Sequence, residues 1–182
     1  MPYKTDKRKN QMAHLIKTSA LALLISLTGQ AAFAAQDSAD FVEDASAKGI
    51  AEVEAGKLAQ EKGSSDDVKK FARQMVQDHT AANNKLKALA ESKNLEVSDD
   101  TTMMDKMKSM MLELRNAKPF DGAYINNQVT AHEETIALFE EEAANGEDAD
   151  LKAFAADTLP KLKEHLMHAK ELAKTHGDSA GN

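Results

Sequence analysis

Four residues that can ligate a metal ion interrupt the apolar helical stripes of this sequence. At 100° per helical residue, each of them falls on the inward face of a different predicted helix. In chain order they are Glu52, His79, His132 and His165. Neutral imidazole is a borderline ligand and carboxylate a hard one, so the set suits a single Zn(II), Cu(II), Fe(II) or Mn(II) ion. The pattern predicts a mononuclear metal site in the protein core.

Three further polar residues are candidates for hydrogen bonds that orient these ligands: Asp78, Tyr124 and Gln128. The same residues also permit a metal-free interpretation. In that case the core His and Glu side chains bond one another, these neighbours, Thr135 or water, and their role is structural. A pocket for some other cofactor or ligand is a third alternative. The sequence leaves all three open.

Several classes of catalytic site are missing from the sequence. Di-iron bundles use Glu-x-x-His on two of their helices, and this chain has no Glu-x-x-His. Thiol chemistry is excluded because there is no Cys. The core residues include no nucleophile with a base and an orienting group. A mononuclear oxidoreductase is the remaining enzymatic alternative, and we identify no substrate pocket for it, so we expect a binding protein rather than an enzyme.

A second group of possible ligands is a methionine stripe, in which Met103, Met104, Met107, Met110 and Met111 share one helical face with Leu114. Thioethers are soft ligands, so a cluster of them suits Cu(I). Methionine is also an adaptable apolar residue, and a stripe at helical spacing is typical of packing. We therefore interpret this stripe as a packing face.

The elements that must position these residues are helices. The chain has only three Pro and eight Gly, and 42% of its residues are hydrophobic. Helical periodicity, with Gly, Pro and Ser punctuation, predicts four long helices and one shorter helix between the second and third. Their approximate ranges are 40–62, 64–93, 101–117, 119–144 and 148–175. Pro160 falls inside the last helix and should kink it.

Four long amphipathic helices predict an all-α four-helix bundle. The link between its second and third long helices carries the short fifth helix and is long enough to run the length of the bundle. With this crossover the second and third helices are parallel, and the four candidate ligands lie within about 6 Å of one level. An up-down-up-down bundle spreads them over about 12 Å. The crossover topology therefore agrees with a shared site.

The N-terminal segment has the features of a signal peptide. A basic stretch is followed by the apolar residues 18–28 and by the small-x-small triplet 32–34, which predicts cleavage between Ala34 and Ala35. Met12 is an alternative start. We therefore divide the chain into a signal peptide (1–34), a short lead (35–38), the bundle (39–176) and a disordered tail (177–182), and we expect a periplasmic protein.

Charge excludes other classes of partner. The formal net charge is −7, and removal of residues 1–34 takes away five Lys or Arg and one Asp, which brings it to −11. Nucleic acids and anionic lipid surfaces bind through Lys and Arg, so neither is expected as a partner. The apolar residues 18–28 of the predicted signal peptide are too few to span a membrane as a helix, and no segment after them is apolar enough to do so.

Four motifs resemble an exported bacterial family of unknown function, whose members are often labelled predicted outer-membrane proteins and grouped with the ferritin-like superfamily. They are Phe41 … Glu52 … Gly56, Phe71-Ala72-x-x-Met75-x-x-Asp78-His79, Phe120-Asp121-x-x-Tyr124 … His132-Glu133, and Leu159-Pro160-x-Leu162-x-x-His165. The resemblance covers about residues 38–175. It implies a ferritin-like bundle in the cell envelope and no established activity, substrate or metal.

Our leading hypothesis is therefore a periplasmic helical bundle that binds one transition-metal ion in envelope stress or metal handling. The competing hypothesis is a metal-free structural, interaction or stress-protection module with structural core histidines.

Overall fold

The computed structural model describes residues 28–98, 110, 111, 114, 116 and 119–177, with side chains from residue 38 onward. Four long helices make up nearly all of this part of the chain: α1 (Thr28–Lys62), α2 (Asp66–Ser92), α3 (Phe120–Asn145) and α4 (Ala149–His176). No strand occurs among these residues. The predicted all-α four-helix bundle is confirmed, while the ferritin-like label stays a prediction.

The helix bounds agree with the sequence-based ranges except at the start of α1. This helix begins at Thr28 and not near residue 40. Residues 28–40 are rich in Ala and contain no Pro, so their intrinsic propensity extends the helix. The predicted cleavage point and lead fall within α1 of the uncleaved chain. The predicted tail lies outside the described residues apart from Gly177, which caps α4.

The connection between α2 and α3 is described only at a few positions. Residues 110, 111, 114 and 116 are helical, as the predicted short helix requires. Leu114 is buried in the core and Met111 packs against the same cluster, which supports packing as the role of this face. Met103, Met104 and Met107 lie outside the described residues.

Polar contacts at the two ends of the bundle define its topology. At one end, the Asp121 carboxylate at the start of α3 accepts hydrogen bonds from the backbone N–H groups of Ser64 and Ser65 and from the Ser64 hydroxyl, at 2.6–3.2 Å. At the other end, Lys93 after α2 pairs at 2.8 Å with Asp148 and Asp150 at the start of α4. Helices α2 and α3 therefore run parallel, and the predicted crossover is observed.

The N-termini of α2 and α4 are capped differently. Ser65 occupies the N-cap position of α2, but its side chain makes no capping hydrogen bond. Asp121, from another helix, accepts from the backbone N–H of Ser65 itself. The N-cap of α4 is local, because the Asp148 carboxylate accepts from the backbone N–H groups of Asp150 and Leu151. Helix α4 continues through Pro160, and the predicted kink stays a prediction.

The core consists of two apolar clusters with a polar layer between them. The first cluster contains Phe41, Leu86, Phe139 and Leu151, and lies at the end where α4 begins. The second lies at the end where α3 begins and contains Phe71, Met75, Tyr124 and Leu172. Along every helix, a buried polar residue separates the positions that belong to the two clusters: Glu52, His79, Gln128 with His132, and His165.

Candidate metal centre

The polar layer brings three histidines from three helices into one group. His79 on α2, His132 on α3 and His165 on α4 are all buried, with 6%, 1% and 1% of their surface exposed. One ring nitrogen from each lies within 4.8 Å of the other two. The ring centroids are 5.4–5.5 Å apart in every pair. These residues, the His triad, form the candidate site.

Hydrogen bonds to the outer nitrogens establish the tautomers of two rings. His132 Nδ1 donates to the backbone carbonyl of Gln128 at 2.9 Å, and His165 Nε2 donates to the Asp78 carboxylate at 2.9 Å. The other nitrogen of each ring then carries a lone pair and no proton. This is the arrangement in which metal-ligating histidines are usually held.

The inward nitrogens of the triad have no hydrogen-bond partner among the described residues. They are His79 Nε2, His132 Nε2 and His165 Nδ1, and all three are buried. An unpaired buried acceptor costs about 1–3 kcal/mol, so three close together are unusual in a core whose role is only structural. A cation at the centre of the triad gives the lone pairs of His132 Nε2 and His165 Nδ1 a partner, and also that of His79 Nε2 when the proton of this ring is on Nδ1.

The electrostatic environment keeps the imidazoles neutral. Burial, reinforced by the nearby rings of His132 and His165, lowers the pKa of His79 to about 3. Burial lowers the pKa of His132 to about 4, against the opposing effect of its bond to the Gln128 carbonyl. The pKa of His165 is also lowered by burial, although Asp78 acts to raise it. Near neutral pH the triad therefore presents unprotonated ligands, as metal binding requires.

The separation of the ligand atoms is compatible with a metal after a small contraction. Nitrogens about 2.0–2.1 Å from a tetrahedral ion lie about 3.4 Å from one another. The observed limit of 4.8 Å exceeds this by about 1.4 Å. Small rotations about the side-chain torsions of the three rings supply a movement of this size.

Glu52, the fourth predicted ligand, is not in this group. It is buried on α1, and its carboxyl lies beside the Gln128 amide and near Tyr124. Burial raises the pKa of Glu52 to about 7, while the Gln128 amide and the charge of Lys48 act in the opposite direction. One carboxylate oxygen of Glu52, the Tyr124 hydroxyl and both amide atoms of Gln128 have no hydrogen-bond partner among the described residues. These three side chains form a second buried polar group beside the triad.

The three predicted supporting residues occupy different places. Asp78 contacts His165 directly, although its position before His79 in the sequence gave no reason to pair it with α4. Gln128 supports His132 through its backbone carbonyl and not through its side chain. Tyr124 is fully buried beside Glu52, and burial, followed by the Glu52 charge, raises the pKa of its hydroxyl well above the usual value.

Sequence reasoning missed the role of Asp121. Its carboxylate joins the start of α3 to the turn between α1 and α2, and this contact sets the height of His132 against His79. The signal was present in the sequence, because a short acidic residue in the first turn of a helix is a frequent acceptor for backbone N–H groups. What the sequence did not contain was the identity of the donor.

None of the described helices has both the length and the apolar character that crossing a membrane requires.

Comparison with known proteins identifies the family. The chain belongs to DUF4142, a domain of unknown function, whose family model matches residues 26–172. No curated protein matches the chain. A solved structure described as CopM in the Cu(I)-bound form is similar, with a TM-score of 0.64 and 14% sequence identity over 76% of this chain and 96% of the CopM chain. At this identity the similarity shows a shared fold.

Proposed function

We propose that this member of the DUF4142 family is a metal-handling protein that binds one transition-metal ion through His79, His132 and His165. The observation that carries the proposal is the convergence of three buried, unpartnered ring nitrogens within 4.8 Å. Their low pKa values leave the lone pairs free for a cation. We propose the periplasm as its compartment, because the sequence predicts a signal peptide in residues 1–34.

Copper is the first metal to test, followed by zinc. A site made of three imidazoles suits copper and zinc better than manganese, which prefers carboxylate and water ligands. Copper also binds most tightly among the divalent first-row ions at a given nitrogen site. The similar CopM structure was solved with Cu(I), which favours the same choice.

Glu52 enters the proposal as a charge partner. A cation held by three neutral imidazoles leaves uncompensated positive charge in the core, which is costly in a medium of low polarity. Asp78 already compensates part of it through His165. A carboxyl whose pKa is about 7 ionises readily when a cation arrives nearby, and Glu52 is buried in the adjacent polar group.

A metal-free structural role explains less of the geometry. The contacts to Asp78 and to the Gln128 carbonyl satisfy the outer nitrogens of two rings. The inward nitrogens of all three rings remain unpaired. A purely structural layer avoids this cost with apolar side chains of similar volume, which are often neutral or stabilising replacements for buried polar groups.

The test is elemental analysis of the chain, purified without an affinity tag or chelator and incubated with Cu, Zn, Fe and Mn. We expect about one metal ion per chain in the wild type and none in His79→Ala. His168→Ala is the matched control, because His168 is half-buried on α4 and its ring packs against Phe71, outside the triad. That variant should retain the metal.

Absence of bound metal after incubation with all four ions contradicts the proposal and supports the structural alternative. Equal metal content in His79→Ala and the wild type assigns the metal to some other part of the chain. Circular dichroism of each variant confirms that the helices persist, so that a lost ion is not the result of unfolding.

A further inference from the structure

A small cavity lies directly beside the His triad. His79 and His165 form one wall of it. Leu86, Phe139, Phe154 and Leu162, from the cluster at the α4-start end of the bundle, also line it. The other lining residues include polar ones, of which Lys48, Asp78 and Lys161 are partly exposed.

The size of the cavity restricts what it can hold. It offers about 30 Å³ to the centres of water-sized molecules. One water requires about 10–15 Å³ by this measure, so the space suits two waters or one molecule of two or three heavy atoms. Polar partners for either occupant are present, because Lys48, Asn83, Thr135 and Thr158 also line the cavity.

We infer that a metal ion held by the His triad keeps one coordination position open towards this cavity and takes there an exogenous donor ligand of two or three atoms, bound end-on. The inference rests on the proposed function. Three protein ligands leave the fourth position of a tetrahedral site free, and this is the pattern of zinc sites that bind external ligands. The ligand displaces at most a bound water, and none of its own bonds is broken.

The shape of the site also explains which ligands are excluded. Leu86, Phe154 and Leu162 line the cavity beside the polar residues Lys48, Asn83 and Thr158, so charge alone does not exclude a ligand. Donors of more than about three heavy atoms exceed the available volume. The predicted class is therefore short linear donors, for which azide is a convenient probe of a divalent metal.

The test uses the full chain loaded with Cu(II), or with Co(II) if the bound metal is zinc. Metal content is measured first, and azide is then titrated while the charge-transfer and d–d absorption bands are recorded. The blocking variant is Ala82→Leu, because Ala82 lines the cavity and a longer side chain there fills it. The control is Ala81→Leu, the same change at an exposed position of the same helix that does not line the cavity.

We expect azide to shift the spectrum of the wild type and of Ala81→Leu with equal affinity. In Ala82→Leu the metal content should be unchanged. Azide binding should be at least about tenfold weaker, because one or two methylene groups in a pocket are enough to change the affinity for a ligand. A second variant, Phe154→Leu, widens the cavity and should improve the binding of the longer thiocyanate ion relative to azide. It keeps the test decisive if Ala82→Leu folds poorly.

A metal-loaded wild type whose spectrum does not respond to azide overturns the inference and leaves the proposed function intact. Equal azide binding by the wild type, Ala82→Leu and Phe154→Leu also overturns it, because the ligand then reaches the metal by another route. A chain that takes up no metal overturns the proposed function, and this inference with it.

Discussion

The two apolar ends of the bundle and the polar layer between them are built on the same four helices but with opposite energetics. At the ends, residues such as Phe71 and Leu151 have no exposed surface, and each contributes about 1.5–3 kcal/mol of burial free energy. In the middle layer, His79, His132 and His165 are buried just as deeply while their inward nitrogens lack a partner.

The difference indicates which part of the core specifies stability and which part specifies function. Apolar ends on either side hold the helices in register, so the middle layer can tolerate polar groups that by themselves destabilise the fold. Both parts of the core meet at the small cavity, because residues of the His triad and of an end cluster line it. A bound ion changes the middle layer from destabilising to stabilising, because a ligand that binds only the folded state increases the free energy of unfolding.

The largest expected effect comes from damage to an end. Leu151→Ala, at a position with no exposure, should lower the free energy of unfolding by about 2–5 kcal/mol. The loss should be equal with and without metal, because Leu151 lies in an apolar cluster at one end of the bundle. His165→Ala in the same helix should cost the metal-free chain less, since it also removes an unpartnered nitrogen. Denaturant unfolding of both variants measures the two losses of unfolding free energy. A larger loss in metal-free His165→Ala than in Leu151→Ala contradicts the conclusion that the apolar ends provide the stability.

An intermediate effect is expected from the support of the triad. Asp78→Asn replaces the carboxylate that accepts from His165 Nε2 by a weaker, neutral acceptor. Loss of such a partner typically weakens metal binding by about 10–100-fold, which corresponds to about 1.4–2.7 kcal/mol. Competition with a chelator of known affinity measures the change. The control is Asp157→Asn at an exposed position of α4, and an equal effect in both variants argues for general electrostatics instead.

The smallest effect concerns the dependence of metal-free stability on pH. His79 and His132, with pKa values lowered to about 3 and 4, bind fewer protons when folded than when unfolded, so their contribution is present above pH 6.5 and is lost as the pH falls. Glu52, with its pKa raised to about 7 from 4.5, acts in the opposite sense: its contribution is full below pH 4.5 and is lost as the pH rises through 7. His165, whose pKa burial also lowers, acts in the same sense as His79 and His132, so the histidines outweigh the one carboxyl.

We therefore expect the stability of the metal-free chain to increase from pH 4.5 to about 6.5 with a mean slope of at least about one net proton, or about 1.4 kcal/mol per pH unit. Glu52→Gln removes the opposing group, so its profile should be steeper by up to about one proton over the same range and should still rise towards pH 7, where the wild-type profile flattens. Unfolding free energies measured at several pH values test this. Parallel profiles for the two proteins mean that Glu52 is already ionised in the folded state.

Much of the fold could be predicted from the sequence because its signals are local. Helical periodicity and punctuation located α2, α3 and α4 to within a few residues, and the long link suggested the parallel arrangement of α2 and α3. The start of α1 was wrong by about a dozen residues, since Ala-rich segments have no sharp stop signal. The inward positions of the three histidines followed from periodicity alone, and the structure brings them together.

Contacts between helices were harder to predict from the sequence. The pairing of Asp78 with His165 and the contact of Asp121 with Ser64 join residues that are 87 and 57 positions apart. The placement of Glu52 beside Gln128 and Tyr124, and not among the three histidines, is of the same kind. The position of a residue along the bundle axis is estimated from sequence with an error of about one turn, or about 5 Å. This error is larger than the distance between a metal ligand and a neighbouring residue that does not bind the metal.

The sequence by itself thus determined the helices, the inward faces and the residue types available for chemistry, because these depend on propensity and on the 3.6-residue repeat. Only the tertiary structure decided which side chains meet, which ring nitrogens remain without a partner and where a cavity opens beside them. These properties depend on the register of one helix against another, and a shift of a few ångströms in that register changes a metal site into an ordinary polar core.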